Sequence, residues 1–126
     1  MNTSILFVVA GALCALVGLA HSVLGERYIL TRLFRRSELP PLLGGTDFTR
    51  RTLRFAWHVT TIAWWGAAAL FVQMARGPLT TAAACAVLAV TFLVTAAVIC
   101  FASRGRHLAW PVFLAIAAIA AYGAMG

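Results

Sequence analysis

A chain of 126 residues is the size of one domain, and 63% of this one is hydrophobic, with a mean hydropathy of +0.94. Soluble domains are roughly 45–50% apolar, so the composition excludes a soluble fold, which could not hide this much apolar surface. The basic residues are all arginines and give a net charge of +7; because they flank apolar runs, they favour membrane orientation over nucleic-acid binding.

Four apolar runs follow one another at about residues 3–25, 54–75, 79–102 and 107–125. Each is close to the roughly 20 residues that cross ~30 Å of hydrocarbon, and backbone amides in lipid must be bonded within the segment, which predicts helices. Two short links, 76–78 and 103–106, make the helices that they join antiparallel neighbours. The sequence therefore predicts an all-α integral membrane four-helix bundle, up-down-up-down, as a single domain over residues 1–126.

Small residues recur at spacings of three and four along the first run. They are Gly11, Ala15, Gly18, Ser22 and Gly25. Small side chains allow the backbones of membrane helices to approach closely. This small-residue seam is predicted to be the buried face of the first helix.

The longest polar stretch, residues 26–53, separates the first and second runs. From Tyr28 to Arg36 it alternates apolar residues with arginines at helical spacing, which predicts an extension of the first helix or a segment lying along the headgroups. Pro40-Pro41 and Gly44-Gly45 then break the helix, and Thr46 or Asp47 can cap the next one.

The arginines indicate which way the chain crosses the membrane. Arg76 lies on one side, and the other nine share the opposite side: Arg27, Arg32, Arg35, Arg36, Arg50, Arg51, Arg54, Arg104 and Arg106. Because cytoplasmic loops carry an excess of arginine and lysine, residues 26–53 and 103–106 are predicted to be cytoplasmic and both termini to lie outside. The bilayer and its anionic headgroups are the expected partner, with no nucleic acid.

Three histidines occur on three different predicted helices, at His21, His58 and His107. At 1.5 Å per residue their depths below the charged boundary differ by only ~6 Å, so three imidazoles could share one layer of the bundle. Three histidines can hold a transition metal with an open position, and two can hold a haem iron. The alternative is packing and hydrogen bonding, because no metal-binding motif such as HExxH is present.

Arg50 and Arg54 are four residues apart at the predicted start of the second helix, so they share one face near its N-terminus. They are candidates for binding an anion, with phospholipid headgroups as the default ligand.

The strings His21-Ser22-Val23-Leu24-Gly25-Glu26 and Arg54-Phe55-Ala56-Trp57-His58-Val59-Thr60-Thr61 resemble a signature of small four-helix membrane proteins of bacteria. The resemblance implies a location in the bacterial inner membrane. For a multi-pass protein of that membrane, the termini that the arginines place outside are expected in the periplasm. It implies no activity, ligand or catalytic residue.

Three hypotheses about function follow from these patterns. The first is a protein that binds a transition metal or haem through His21, His58 and His107. The second is a structural or accessory subunit that packs in a larger membrane complex through the small-residue seam, and the third is an oligomeric channel or carrier. No pairing of nucleophile and base is evident, so no reaction is predicted. Whether the protein is an enzyme is left open.

Overall fold

The computed structural model describes residues 2–36 and 38–126. The first helix, α1, runs Thr3–Leu24, continues as a π-helix over Gly25–Leu30 and returns to α-helix at Thr31–Leu33. It is followed by α2 (Thr46–Arg76), α3 (Thr81–Ser103) and α4 (Ala109–Gly123). The described residues contain no β-strand, and the predicted all-α four-helix bundle is confirmed.

The helix ends follow from local chemistry. Asn2 and Thr80 cap α1 and α3 by accepting hydrogen bonds from backbone amides one turn in, each at 3.1 Å, which satisfies donors that a helix leaves without partners. At the other end of α3, Arg104 and Gly105 adopt left-handed backbone angles, with φ of 55° and 74°. This turn reverses the chain into α4.

Two helices extend further into the 26–53 segment than the apolar runs indicate. α1 continues to Leu33, which agrees with the predicted extension. α2 begins at Thr46, one of the two predicted cap positions and eight residues before the apolar run, but the cap residue is Gly45 and no side chain caps the helix. The added turns of α2 are held from outside the apolar run: Thr49 Oγ1 donates to Pro40 O at 2.7 Å, and Arg51 Nε bonds Asp47 at 2.7 Å. These turns are therefore helical because polar contacts hold them, and not because they are buried in lipid.

α4 is shorter than predicted, because the chain from Arg106 to Leu108 forms a turn and helix starts only at Ala109. Its 15 residues span about 22 Å, less than the ~30 Å of a bilayer core. α1, α2 and α3 have the length and composition of membrane spans.

The helices pack in a row, each against its neighbours in sequence. α1 lies against α2, α2 against α3 and α3 against α4, while no other pair of these helices makes backbone contact among the described residues. The accessible surface is 8132 Å², compared with about 6,500 Å² for a compact soluble protein of this mass. Much of it is apolar: only 11%, 22% and 17% of the residues in the most apolar stretches of α1, α2 and α3 are buried. Apolar side chains that point outward along helices of spanning length define a small integral membrane protein.

The small-residue seam lies between α1 and α2. Gly11 and Gly18 are buried there, and a β-carbon on Gly11 would lie 3.2 Å from the Ala68 carbonyl oxygen. Trp65 Nε1 and Thr61 Oγ1 of α2 donate hydrogen bonds to the α1 carbonyls of Ala15 and Gly18, at 3.2 and 3.1 Å. The predicted buried face of α1 is confirmed, and α2 rather than a partner chain covers it.

Candidate functional site

The two sequence strings of the resemblance lie side by side at the arginine-rich end of the bundle. The indole of Trp57 packs directly on Gly25, where any β-carbon would collide with the ring. Trp57 also stacks on the imidazole of His21, with ring centroids 4.5 Å apart and planes at 4°. Each residue bonds the other's backbone: Trp57 Nε1 donates to His21 O at 3.0 Å, and His21 Nε2 donates to Trp57 O at 3.3 Å. This contact fixes the π-helical turn of α1 against α2.

A polar network around His58 lies next to this contact. His58 Nε2 is 3.3 Å from Glu26 Oε2, and His58 Nδ1 is 2.8 Å from Ser22 Oγ. Ser22 Oγ is in turn 2.7 Å from Thr61 Oγ1, which is 3.1 Å from the Gly18 carbonyl oxygen. Four contacts therefore link a carboxylate, an imidazole and two hydroxyls across the α1–α2 interface.

The chemistry of the groups in this network fixes which of them donate and which accept hydrogen bonds. The Gly18 carbonyl and the Glu26 carboxylate only accept, so Thr61 donates to the former and His58 Nε2 to the latter. The single hydrogen of the Ser22 hydroxyl then points either to Thr61 Oγ1 or to His58 Nδ1.

Three arginines of α2, at positions 50, 51 and 54, lie close to the network. Arg54 Nη2 is 3.0 Å from Glu26 Oε1, and Arg51 is paired with Asp47. Arg51 also donates a weak hydrogen bond to the Ala102 carbonyl of α3 at 3.4 Å. Arg50 is exposed, and no carboxylate among the described residues lies within ion-pairing distance of it.

These side chains line an open groove of about 530 Å³ between α2 and α3, which we call the basic groove; its lining residues are Phe34, Asp47, Arg50, Arg51, Arg54, Phe55, His58, Val98 and Ala102. Its volume lies within the range of ligand pockets, roughly 300–1,000 Å³. Phe34 covers one end, with the Arg54 guanidinium 5.0 Å from its ring centroid. The groove is therefore basic at its rim and apolar along its walls.

The structure places the three predicted metal-ligating histidines in different surroundings. His21 is stacked on Trp57, and His58 belongs to the polar network. His107 lies between α2 and the start of α4. Its ring is stacked on Phe48, and it meets Phe55 edge-on with the two ring centroids 5.0 Å apart. Its Nδ1 accepts a hydrogen bond from the backbone amide of Ala109, the first residue of α4, at 3.3 Å.

The residues that the structure describes contain no group of three or more histidine, cysteine or acidic side chains able to hold a metal ion. A shared depth along three helices does not bring side chains together when they point in different directions. The metal and haem hypothesis therefore finds no support in the geometry, and the structural alternative accounts for His107.

Glu26, Ser22 and Thr61 are members of the site to which the sequence patterns assigned no chemical role, although Ser22 was predicted to lie in the small-residue seam. Ser22 and Glu26 are four residues apart on α1, and His58 and Thr61 are three apart on α2. This spacing places each pair on one face, which is a usable signal, but only the α1–α2 packing shows that the two faces meet. Arg50 and Arg54, the predicted anion site, both line the basic groove.

Comparison with protein-family models, curated proteins and solved structures finds no match to this chain. The resemblance carried by the two strings thus gains no further support, and the function must be argued from the site.

Proposed function

We propose that this integral membrane protein binds the anionic, phosphate-bearing headgroup of a membrane lipid in the basic groove, on the cytoplasmic side. The observation that carries the proposal is the convergence of Arg50, Arg51 and Arg54 on one open groove with apolar walls. Arginine suits this ligand because its planar donors match phosphate oxygens.

The charge balance of the groove supports an anionic ligand. Two carboxylates, Asp47 and Glu26, oppose three guanidinium groups, so the groove retains a positive excess. Arg50 meets no carboxylate among residues 2–36 and 38–126, and 51% of the Arg54 side chain is accessible beside Glu26. A headgroup phosphate can bridge Arg50 and Arg54, which are one helical turn apart.

The direct test is lipid retention. The purified protein is exposed to equal amounts of phosphatidylglycerol and phosphatidylcholine, and bound lipid is counted by native mass spectrometry. We expect phosphatidylglycerol to be enriched, and Arg50→Gln with Arg54→Gln to lower its retention by roughly 30-fold, at about 1 kcal/mol for each arginine.

The matched control is Arg27→Gln with Arg32→Gln. It removes the same charge from α1, outside the basic groove. Both guanidinium groups lie over the Tyr28 ring, 5.5 and 6.0 Å from its centroid. We expect this pair to retain phosphatidylglycerol nearly as well as the unaltered chain. Equal losses in both pairs, or no preference for the anionic lipid, would overturn the proposal.

A gain of binding gives an independent check. Glu26→Gln removes the carboxylate that competes with phosphate for Arg54, so we expect tighter retention of phosphatidylglycerol despite the loss of an ion pair. Weaker retention would mean that Glu26 supports the ligand rather than competing with it, and would contradict the proposed arrangement.

A further inference from the structure

A second groove continues the basic groove toward the middle of the bilayer. It has a volume of about 450 Å³ and lies between the same two helices; we call it the apolar groove, and its lining residues are Ile62, Trp65, Gly66, Ala69, Ala86, Val87, Val90, Thr91 and Val94.

The spacing of the lining residues shows that the two grooves share one face of the helix pair. On α2, His58 of the basic groove is followed by Ile62 and Trp65 of the apolar groove, at steps of four and three. On α3, Val94 of the apolar groove is followed four residues later by Val98 of the basic groove. Such steps keep residues on one side of a helix, so the two grooves lie in line along the α2–α3 pair, and we call them together the slot.

No polar group in the apolar groove needs a ligand. The Trp65 indole donates to the Ala15 carbonyl at 3.2 Å, and the Thr91 hydroxyl donates to the Val87 carbonyl at 2.8 Å. The other lining side chains are aliphatic or absent. The surface is complementary to hydrocarbon and offers nothing to a polar occupant.

We infer that one acyl chain of the anionic lipid lies in the apolar groove while its headgroup is held by Arg50 and Arg54. This inference rests on the proposed function and adds the position of the chain. Eleven residues separate Arg54 from Trp65, which is about 16 Å along the helix and close to the ~15 Å depth of one leaflet. A lipid anchored at Arg54 therefore reaches Trp65 near the end of its chain.

The neighbouring residue, Trp64, provides a control at the same depth. It lines a different surface depression, shared with Leu13, Cys14, Val17 and Ala67 on the α1 side. A lipid that merely surrounds the protein meets Trp64 and Trp65 alike, whereas a lipid held in the slot meets Trp65 alone.

The experiment measures tryptophan quenching by lipids brominated near the chain end. One protein keeps only Trp65 (Trp57→Phe, Trp64→Phe, Trp110→Phe) and the other keeps only Trp64. Each is placed in phosphatidylcholine bilayers that contain a small fraction of brominated phosphatidylglycerol or brominated phosphatidylcholine. We expect Trp65 to be quenched several-fold more by the anionic lipid, and Trp64 equally by both.

Three results would overturn the inference. Equal quenching ratios at both tryptophans indicate surrounding lipid only. Absence of quenching at Trp65 by either lipid indicates a groove filled by a second copy or another helix. If inorganic phosphate raises the unfolding temperature of the protein as much as phosphatidylglycerol does, the acyl chain contributes nothing to binding.

A groove-filling variant tests the same point in a chain that keeps its four tryptophans. Val90 is 62% exposed and lines the apolar groove, whereas Leu93 is 52% exposed and lines none of the grooves described above. We expect Val90→Trp to lower phosphatidylglycerol retention and Leu93→Trp to leave it unchanged. If retention depends on Arg50 and Arg54 but not on Val90, the headgroup site stands and the placement of the chain fails; if it depends on none of them, both fail.

Discussion

Glu26 joins two basic side chains that sequence spacing alone does not connect to it. Its two carboxylate oxygens contact Arg54 and His58 of α2, and the side chain is 35% exposed. At that exposure an ion pair contributes modestly to stability. In the proposed arrangement, its larger effect is to compete with a phosphate for the Arg54 guanidinium.

Gly25 is the residue whose side chain the packing excludes most strictly. Because any β-carbon there collides with the rigid Trp57 ring, we expect Gly25→Ala to lower the free energy of unfolding by about 2 kcal/mol or more, as overpacking does. The measurement is thermal unfolding in detergent.

The control for Gly25 is a double-mutant comparison. With the ring removed by Trp57→Leu, the same Gly25→Ala change should cost much less, because the two residues then no longer collide. Equal costs in the two backgrounds would show that the glycine serves another purpose.

At the scale of elements, the arginine-rich end of α2 is helical because polar contacts hold it. Its first turns carry three arginines and are not apolar enough to be read as part of a span. Pairing with Asp47, the Thr49 bond to Pro40 and the ring contact of Phe48 with His107 hold them in the structure. The arginines of the basic groove are thus displayed on a rigid helix rather than on a loop.

Thr49 tests this anchoring. It is 5% exposed and its hydroxyl bonds Pro40 O at 2.7 Å, so we expect Thr49→Val to cost about 1 kcal/mol of stability and to speed trypsin cleavage after Arg35 and Arg36. Thr60→Val is the control, since that exposed hydroxyl bonds only its own helix. Equal cleavage rates in the two variants would argue against a tether at Thr49.

At the scale of the whole molecule, the described residues form a row of four helices, each packed against its neighbours in sequence. A channel or carrier would need several copies, and that hypothesis stays a prediction. The accessory-subunit hypothesis also stays a prediction, but its proposed contact surface, the small-residue seam, is covered by α2. The open row leaves both faces of the α2–α3 pair accessible to lipid.

The orientation of the chain is the prediction at this scale. We expect a reporter at the N-terminus to lie in the periplasm and a reporter on residues 26–53 to lie in the cytoplasm. The reason is that nine of the ten arginines are on the same side as residues 26–53. A periplasmic C-terminus requires α4 to cross the membrane despite its 15 residues. Labelling of single cysteines near residue 125 decides this point, and cytoplasmic labelling there would show that α4 does not span.

Composition and periodicity alone determined that this chain is helical and that lipid is its solvent, because 63% apolar content arranged in long runs leaves no other way to satisfy the backbone. They also located the seam of α1 and the face shared by Arg50 and Arg54, since both are local spacings on one helix. Tertiary structure alone decided which faces meet. It joined Glu26 and Ser22 to His58, held His107 away from the other two histidines, and aligned the basic groove with the apolar groove. Those relations depend on helix rotation, on the π-helical turn at Gly25 and on the order of packing, none of which is encoded in the spacing along a single segment.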